Sequence, residues 1–252
     1  MGEDLQELID RLPALGDAVL VTLEMTLGGA LLAIVIAVVL GFGSRTQSLW
    51  VRGPSRVVVE FFRGTSLVVQ LFWLFYVLPQ FGFKMEALAV AIVALGLNYG
   101  AYASEVVRGS IASVPKGQWE AATALNMTWF HKVRRVIFPQ AWALMIPMLA
   151  NLLIQLVKGS ALAYYITLQD VNFWTVELRR ATADTFFSYT AGLIVYFVIA
   201  YLLTWGMNIL EERAKRRLGR GTRPTLRETF SLKPPTNARL ANTQMPAGGG
   251  AA

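Results

Sequence analysis

The sequence predicts an all-α integral membrane protein with five transmembrane helices, at about residues 18–42, 57–78, 88–107, 141–157 and 187–210, with the N-terminus outside and the C-terminus in the cytoplasm. Three observations carry that prediction. Of 252 residues, 55% are hydrophobic and only 15% charged, against about 25% charged in an ordinary soluble domain. Runs of about 20 mostly apolar residues, the length that a hydrocarbon core of about 30 Å demands of a helix, recur along the chain. Lysine and arginine gather in alternate connections, as they do where cytoplasmic loops keep their basic residues.

Before the first span, Met1 to Asp17 is acidic and has Arg11 as its single positive charge. A signal peptide needs a basic region ahead of its apolar core, so this segment is expected to stay uncleaved, outside the membrane. The first span, Ala18 to Phe42, is almost entirely Leu, Val, Ile, Ala and Gly, with Glu24 near its outer end. Gly28 and Gly29 within it allow another helix to approach closely.

The second span carries Glu60, Arg63 and Gln70, and its hydropathy is marginal; such side chains face protein or a pathway rather than lipid. The third includes Asn98, Tyr99 and Glu105, the fourth Asn151 and Gln155, and the fifth is the cleanest after the first. Orientation follows from Arg45, Arg52 and Arg56 after span one, Lys116, Lys132, Arg134 and Arg135 between spans three and four, and Arg213, Lys215, Arg216 and Arg217 after span five. Opposite them lie the acidic N-terminus, the short 79–86 connection and the 161–186 loop. The net charge of +7 is thereby read as a topology signal, and no nucleic-acid partner is expected.

The chain has no cysteine, which excludes disulfides, thiolate metal sites and cysteine catalysis. Its one histidine, His131, sits among Lys132, Arg134 and Arg135 as a solvated or interfacial side chain. Residues 213–252 are polar, basic and rich in Pro, Gly, Thr and Arg, and read as a disordered cytoplasmic tail.

The connection at about 115–140 is too long for a simple linker. Pro115 suits a helix start, Gly117 to Leu125 favours helix, Asn126 interrupts it, and Thr128 can cap a second short helix whose Phe130, Val133 and Ile137 share a face. Two short amphipathic helices with basic flanks suit the cytoplasmic membrane surface.

Within it, EAATALNMTWFHKVRRVIFPQA, Glu120 to Ala141, resembles the EAA loop of importer permeases of the ATP-binding cassette (ABC) superfamily. Glu120, Ala121, Ala122 and Pro139 match that pattern. The family's glycine is here Asn126, the next most tolerant residue of a left-handed backbone. EFFRGTSLVVQLFW (Glu60–Trp73), NYGAYASEVVRGSIASVPKGQWEAA (Asn98–Ala122) and NLLIQLVKGSALAYYITLQDV (Asn151–Val171) are similar to polar amino acid permeases of the glutamine and histidine types. Ser66 stands where the family has proline. The similarity covers about residues 18–212.

The resemblance implies a type I ABC importer transmembrane domain, 18–212, importing a polar amino acid or a similar small zwitterion; a compatible solute such as ectoine is the alternative. It implies that Glu120 to Asn126 docks on a cytoplasmic ABC ATPase dimer, that a second permease subunit, identical or similar, completes the pathway, and that an extracytoplasmic solute-binding protein delivers substrate in the bacterial inner membrane. No GxxxxGK[ST] loop occurs in the sequence, so ATP is expected to be used by the partner, this chain binding no cofactor or metal and being no enzyme. Gln70, Asn98, Tyr99, Asn151 and Gln155 offer neutral hydrogen bonds to a zwitterion in passage or, equally, to neighbouring helices. Lys158, where the family has a lysine before Thr-Ser-Leu, is assigned to gating or packing. A membrane-bound sensor that recruits a partner without transport, and a lipid-directed enzyme, are the competing classes; the second lacks paired carboxylates with a histidine.

Overall fold

Arg11 and Pro13 set where the first long helix begins. A computed structural model describes residues 2–217, and in it the acidic start is helical: α1 (Gly2–Asp10) ends at Arg11, and α2 (Leu12–Gly43) opens with Pro13 in its first turn. Proline's fixed φ suits that turn and its missing N–H is not needed there. α2 therefore starts well before the onset of hydropathy at Ala18.

The second expected span, 57–78, is not one helix. α3 (Leu49–Gly64) and α4 (Leu67–Phe72) meet at 102°, and α4 runs on through a wide π turn (Trp73–Val77) and a 3-10 turn (Leu78–Phe81). Thr65 and Ser66 adopt extended backbone between them, which interrupts the hydrogen-bond ladder. α5 (Ala87–Ala112) is straight and longer than its expected 88–107.

α2 and α5 form the tightest pair. A Cβ on Gly28 or Gly29 would fall 2.9 and 3.0 Å from Ile92 and Leu95, one on Gly41 would fall 2.9 Å from Val107, and one on Gly100 2.8 Å from the Cβ of Ile36. Glycines on both helices thus let the two approach closely from Gly28 to Gly41. Met25, Val90, Ala91, Ala94 and Leu95 are buried in this seam, with Leu71 of α4 packed over it.

After Ala112 come α6 (Lys116–Ala124), α7 (Trp129–Lys132), a π turn (Val133–Ile137) and α8 (Phe138–Ser160). Val114, Ile137, Ala141 and Met145 bury together with Val107 and Ile111, so this segment is seated on α5 and α8 rather than dangling from them. Of the expected face of Phe130, Val133 and Ile137, the last two are buried, while Phe130, nearest the bend, is exposed.

The 161–186 loop is itself structured. A 3-10 turn (Ala161–Ile166) precedes α9 (Val171–Thr182), and α10 (Thr185–Arg217) follows. Asp170 caps α9: its Oδ1 accepts from the Phe173 amide at 2.9 Å and its Oδ2 from the Tyr196 hydroxyl at 3.2 Å. Trp174 Nε1 donates to the Arg11 carbonyl at 3.1 Å, and the Val171 amide donates to Thr22 Oγ1 at 3.2 Å, binding α9 to the start of α2. Asp170 is fully buried, and burial pushes its carboxyl up to about 6.

α10 continues as helix through Arg217, so residues 213–217 belong to it and not to the expected tail; the rest of that tail lies outside the described residues. Among the described residues, four helices are long and apolar enough to cross a membrane, and the bent α3–α4 pair makes a fifth span. One end of the bundle holds Gly43, Ala112, α6 and α7 and is rich in Arg and Lys (the basic end). The other holds α1, α9 and the 3-10 turns (the far end).

Candidate functional site

At the basic end, the bend between α6 and α7 is built on Asn126, whose φ is +53°. The Met127 amide reaches back to the Ala122 carbonyl at 3.1 Å and the Asn126 amide to the Thr123 carbonyl at 2.9 Å. This is a Schellman closure with asparagine in the left-handed position usually given to glycine. Thr128 then caps α7, its hydroxyl accepting from the His131 amide. Lys132 Nζ donates to Thr123 Oγ1 at 2.6 Å across the bend, and Gln140 Nε2 donates to Gln118 Oε1 at 3.2 Å, so both short helices are tied to each other and to α8.

That frame sorts the expected loop residues. Glu120 and Ala121 are exposed; Ala122 is 2% exposed and turned inward. Ala122 is therefore small where α6 lies close to its own bundle, and Ala121 is the member of the pair left on the surface. Pro139 sits in the first turn of α8, where it lines a groove described below. The sequence reading missed Leu125, Trp129 and Phe130, which are 76%, 65% and 59% exposed around the bend. Three large apolar side chains on a solvent-facing turn, next to the exposed carboxylate of Glu120, form a surface suited to a protein partner. Their signal was the apolar excess on helices too short to bury it.

The intramembrane polar candidates divide into two groups. Gln70 and Asn98 are buried and turn toward the α3–α4 break, where both donate to the Phe62 carbonyl; Gln70 Nε2 also donates to Thr65 Oγ1 at 2.6 Å. Both amides thus donate to the backbone at the break, while Gln70 Oε1 is buried without a hydrogen-bond partner among the described residues. The Tyr99 hydroxyl donates to the Gln155 carbonyl at 2.8 Å and braces α5 against α8.

Asn151, Gln155 and Lys158, by contrast, are exposed and lie at i, i+4 and i+7 on one face of α8. At 3.6 residues per turn they form a single stripe along the far half of the helix. Polar side chains facing hydrocarbon are costly, so such a stripe calls for a polar or protein neighbour. It offers amide donors and acceptors and, at its far end, one ammonium. Charged side chains nearer the basic end are paired within their own helices, Arg63 with Glu60 at 3.3 Å and Arg108 with Glu105, and Arg63 lies over the Tyr102 ring at 5.4 Å.

Comparison with known proteins agrees with this architecture. Residues 29–216 match the family described as binding-protein-dependent transport system inner membrane component. A probable amino-acid ABC transporter permease protein of Sinorhizobium fredii, y4tF, is 39% identical over 216 residues, spanning 83% of this chain and 91% of that protein. The L-cystine transport system permease protein TcyB of Bacillus subtilis is 34% identical over 205 residues, spanning 81% and 88%. Among solved structures, the crystal structure of an amino acid ABC transporter with histidines superposes with a TM-score of 0.75 at 28% identity, covering 82% of this chain and 96% of that one. An inward-facing form of the MetNI methionine ABC transporter gives 0.72 at 19% identity, covering 81% and 98%, and supports the fold alone. The chain belongs to the family of binding-protein-dependent transport system inner membrane components, the permease subunits of ABC importers, and is a multi-pass protein of the inner membrane.

Proposed function

We propose that this permease imports a polar amino acid, or a small zwitterion of like size, through a pathway that it forms with a second permease subunit. The observation that carries the reading is the stripe of Asn151, Gln155 and Lys158, exposed on one face of α8 at membrane depth. A lysine and two amides can receive a carboxylate and an ammonium in sequence without binding either too tightly to release. The amino-acid systems among the relatives support that substrate class.

At the basic end, taken as cytoplasmic from its arginines and lysines, Glu120, Ala121, Leu125, Trp129 and Phe130 receive a cytoplasmic ABC ATPase dimer, with Asn126 holding the bend. The apolar side chains fill the partner's cleft and Glu120 pairs with a basic residue there. ATP is bound and hydrolysed by that dimer and not by this chain. A solute-binding protein docks at the far end. ATP and loaded binding protein drive the change of access because each favours one arrangement of the subunits over the other.

Uptake of labelled solute by vesicles carrying the assembled complex tests the reading, with amino acids and ectoine as the panel. Q155L is expected to lower uptake at unchanged ATPase co-purification, whereas E120K is expected to weaken ATPase co-purification with membrane insertion intact. ATP hydrolysis stimulated by binding protein without uptake of any solute would refute transport. Uptake of ectoine alone would move the substrate class to compatible solutes.

A further inference from the structure

The face of α8 opposite the polar stripe is the wall of a groove of about 710 Å³. Trp142, Leu149 and Leu153 lie half a helical turn round α8 from Asn151, Gln155 and Lys158. Across from them stand Ala33 and Ile34 of α2, with Met207 and Leu210 of α10 forming the far wall. α2 and α10 share packing near the far end, where Ala18, Val19 and Leu23 bury with Val195 and Ile199. Nearer the basic end the groove lies between them, lined by Ala33 and Ile34 on one side and Met207 and Leu210 on the other.

Its chemistry is hydrocarbon with a polar group at each end. Tyr99 has its hydroxyl committed to the Gln155 carbonyl, and the guanidinium-bearing Arg213 closes the groove at the basic end. Arg134 and Arg135 precede Phe138, another lining residue, by about one turn. A zwitterion finds no partner along such a wall. The stripe on the other side of α8 is where a polar neighbour belongs, and α10, which flanks the groove, turns Leu193, Phe197 and Leu202 outward as lipid-facing side chains do.

We propose that this groove binds an anionic phospholipid of the leaflet at the basic end, one acyl chain lying along α8 between α2 and α10 and the phosphate held at Arg213. The occupant follows from charge complementarity: basic residues between transmembrane helices at the positive side of a membrane protein hold acidic headgroups, and an apolar slot beneath them takes the chain. The proposal requires the fold and its membrane setting, and does not depend on which solute is transported.

The chain has no cysteine, so Ile34→Cys gives a single thiol in the groove for a bimane label. The full chain carrying it is reconstituted in phosphatidylcholine vesicles containing a minor fraction of chain-brominated phosphatidylglycerol or, in parallel, chain-brominated phosphatidylcholine. Quenching by the acidic lipid is expected to exceed that by the neutral one about fivefold, the preference one basic residue supports. Arg213→Gln should abolish the preference, Arg213→Lys should retain it, and Leu210→Trp should reduce quenching by both lipids. A label at Leu193→Cys, on the outer face of α10, should show no preference. Equal quenching at position 34, or a preference untouched by Arg213→Gln, overturns the proposal. So does the absence of quenching at position 34 with efficient thiol crosslinking between two copies, which would assign the groove to a subunit interface.

Discussion

Gln70 and Asn98, on different helices, donate to the same acceptor: Nε2 of one and Nδ2 of the other each lie 3.0 Å from the carbonyl oxygen of Phe62. That oxygen has lost its helical partner because the chain is extended at Thr65 and Ser66. Two side chains stand in for one backbone amide, and the bent span depends on them.

Asn98→Leu is therefore expected to cost about 1 kcal/mol, because Gln70 still serves the carbonyl. Gln70→Leu should cost somewhat more, since the bond to Thr65 Oγ1 goes with it. The double variant should lose more than the sum, as the buried oxygen then has no donor. Thermal unfolding of the three variants in detergent measures this coupling; simple additivity would contradict the shared-acceptor account.

Gly100→Ala forces a Cβ to within 2.8 Å of Ile36 Cβ in the α2–α5 seam, and is expected to destabilise by about 1–3 kcal/mol. Gly109→Ala, on the same helix, meets nothing within 4 Å and should gain about 0.5–1 kcal/mol from helix propensity. Melting temperatures of the pair should move in opposite directions.

Asn126→Gly is expected to leave stability and ATPase recruitment unchanged, because φ of +53° suits glycine at least as well. Asn126→Val should cost about 1–2 kcal/mol of local backbone strain and weaken recruitment through a distorted bend. Co-purification of the ATPase with each variant reads this out.

Asp170 gives a pH dependence of opposite sign to the usual paired carboxylate. Its folded pKa, about 6, lies above the ordinary 3.8, so between these values the folded chain holds a proton that the unfolded chain has released. Its contribution favours folding at low pH and is lost as pH rises from about 4 through 6, by up to about 3 kcal/mol. Asp170→Asn keeps a hydrogen-bonding group toward Tyr196 and should flatten the profile over that window; an unchanged slope in thermal unfolding would assign the dependence elsewhere.

The spans were legible because hydropathy needs only composition, and the bend at Asn126 because few residues tolerate left-handed backbone. The break at Thr65 and Ser66 was visible only as marginal hydropathy in a span holding Glu60, Arg63 and Gln70. An amide such as Asn98 reads the same in sequence whether or not a stranded carbonyl lies within its reach, and only the structure brings Nδ2 to the Phe62 oxygen. Ala122 and Ala121 are alike in sequence and opposite in exposure, since adjacent helical residues face different neighbours. α9 was missed because its mixed pattern, VNFWTVELRRAT, is held by tertiary contacts of Asp170 and Trp174 rather than by its own periodicity.

The glycine seam between α2 and α5 has a mechanical corollary. Two helices packed this closely from Gly28 to Gly41 cannot slide along each other without driving Ile92, Leu95 and Val107 into the facing backbone, so the pair resists shear. Bending must then reside elsewhere, at the 102° kink between α3 and α4 and along the groove lined by α2, α8 and α10.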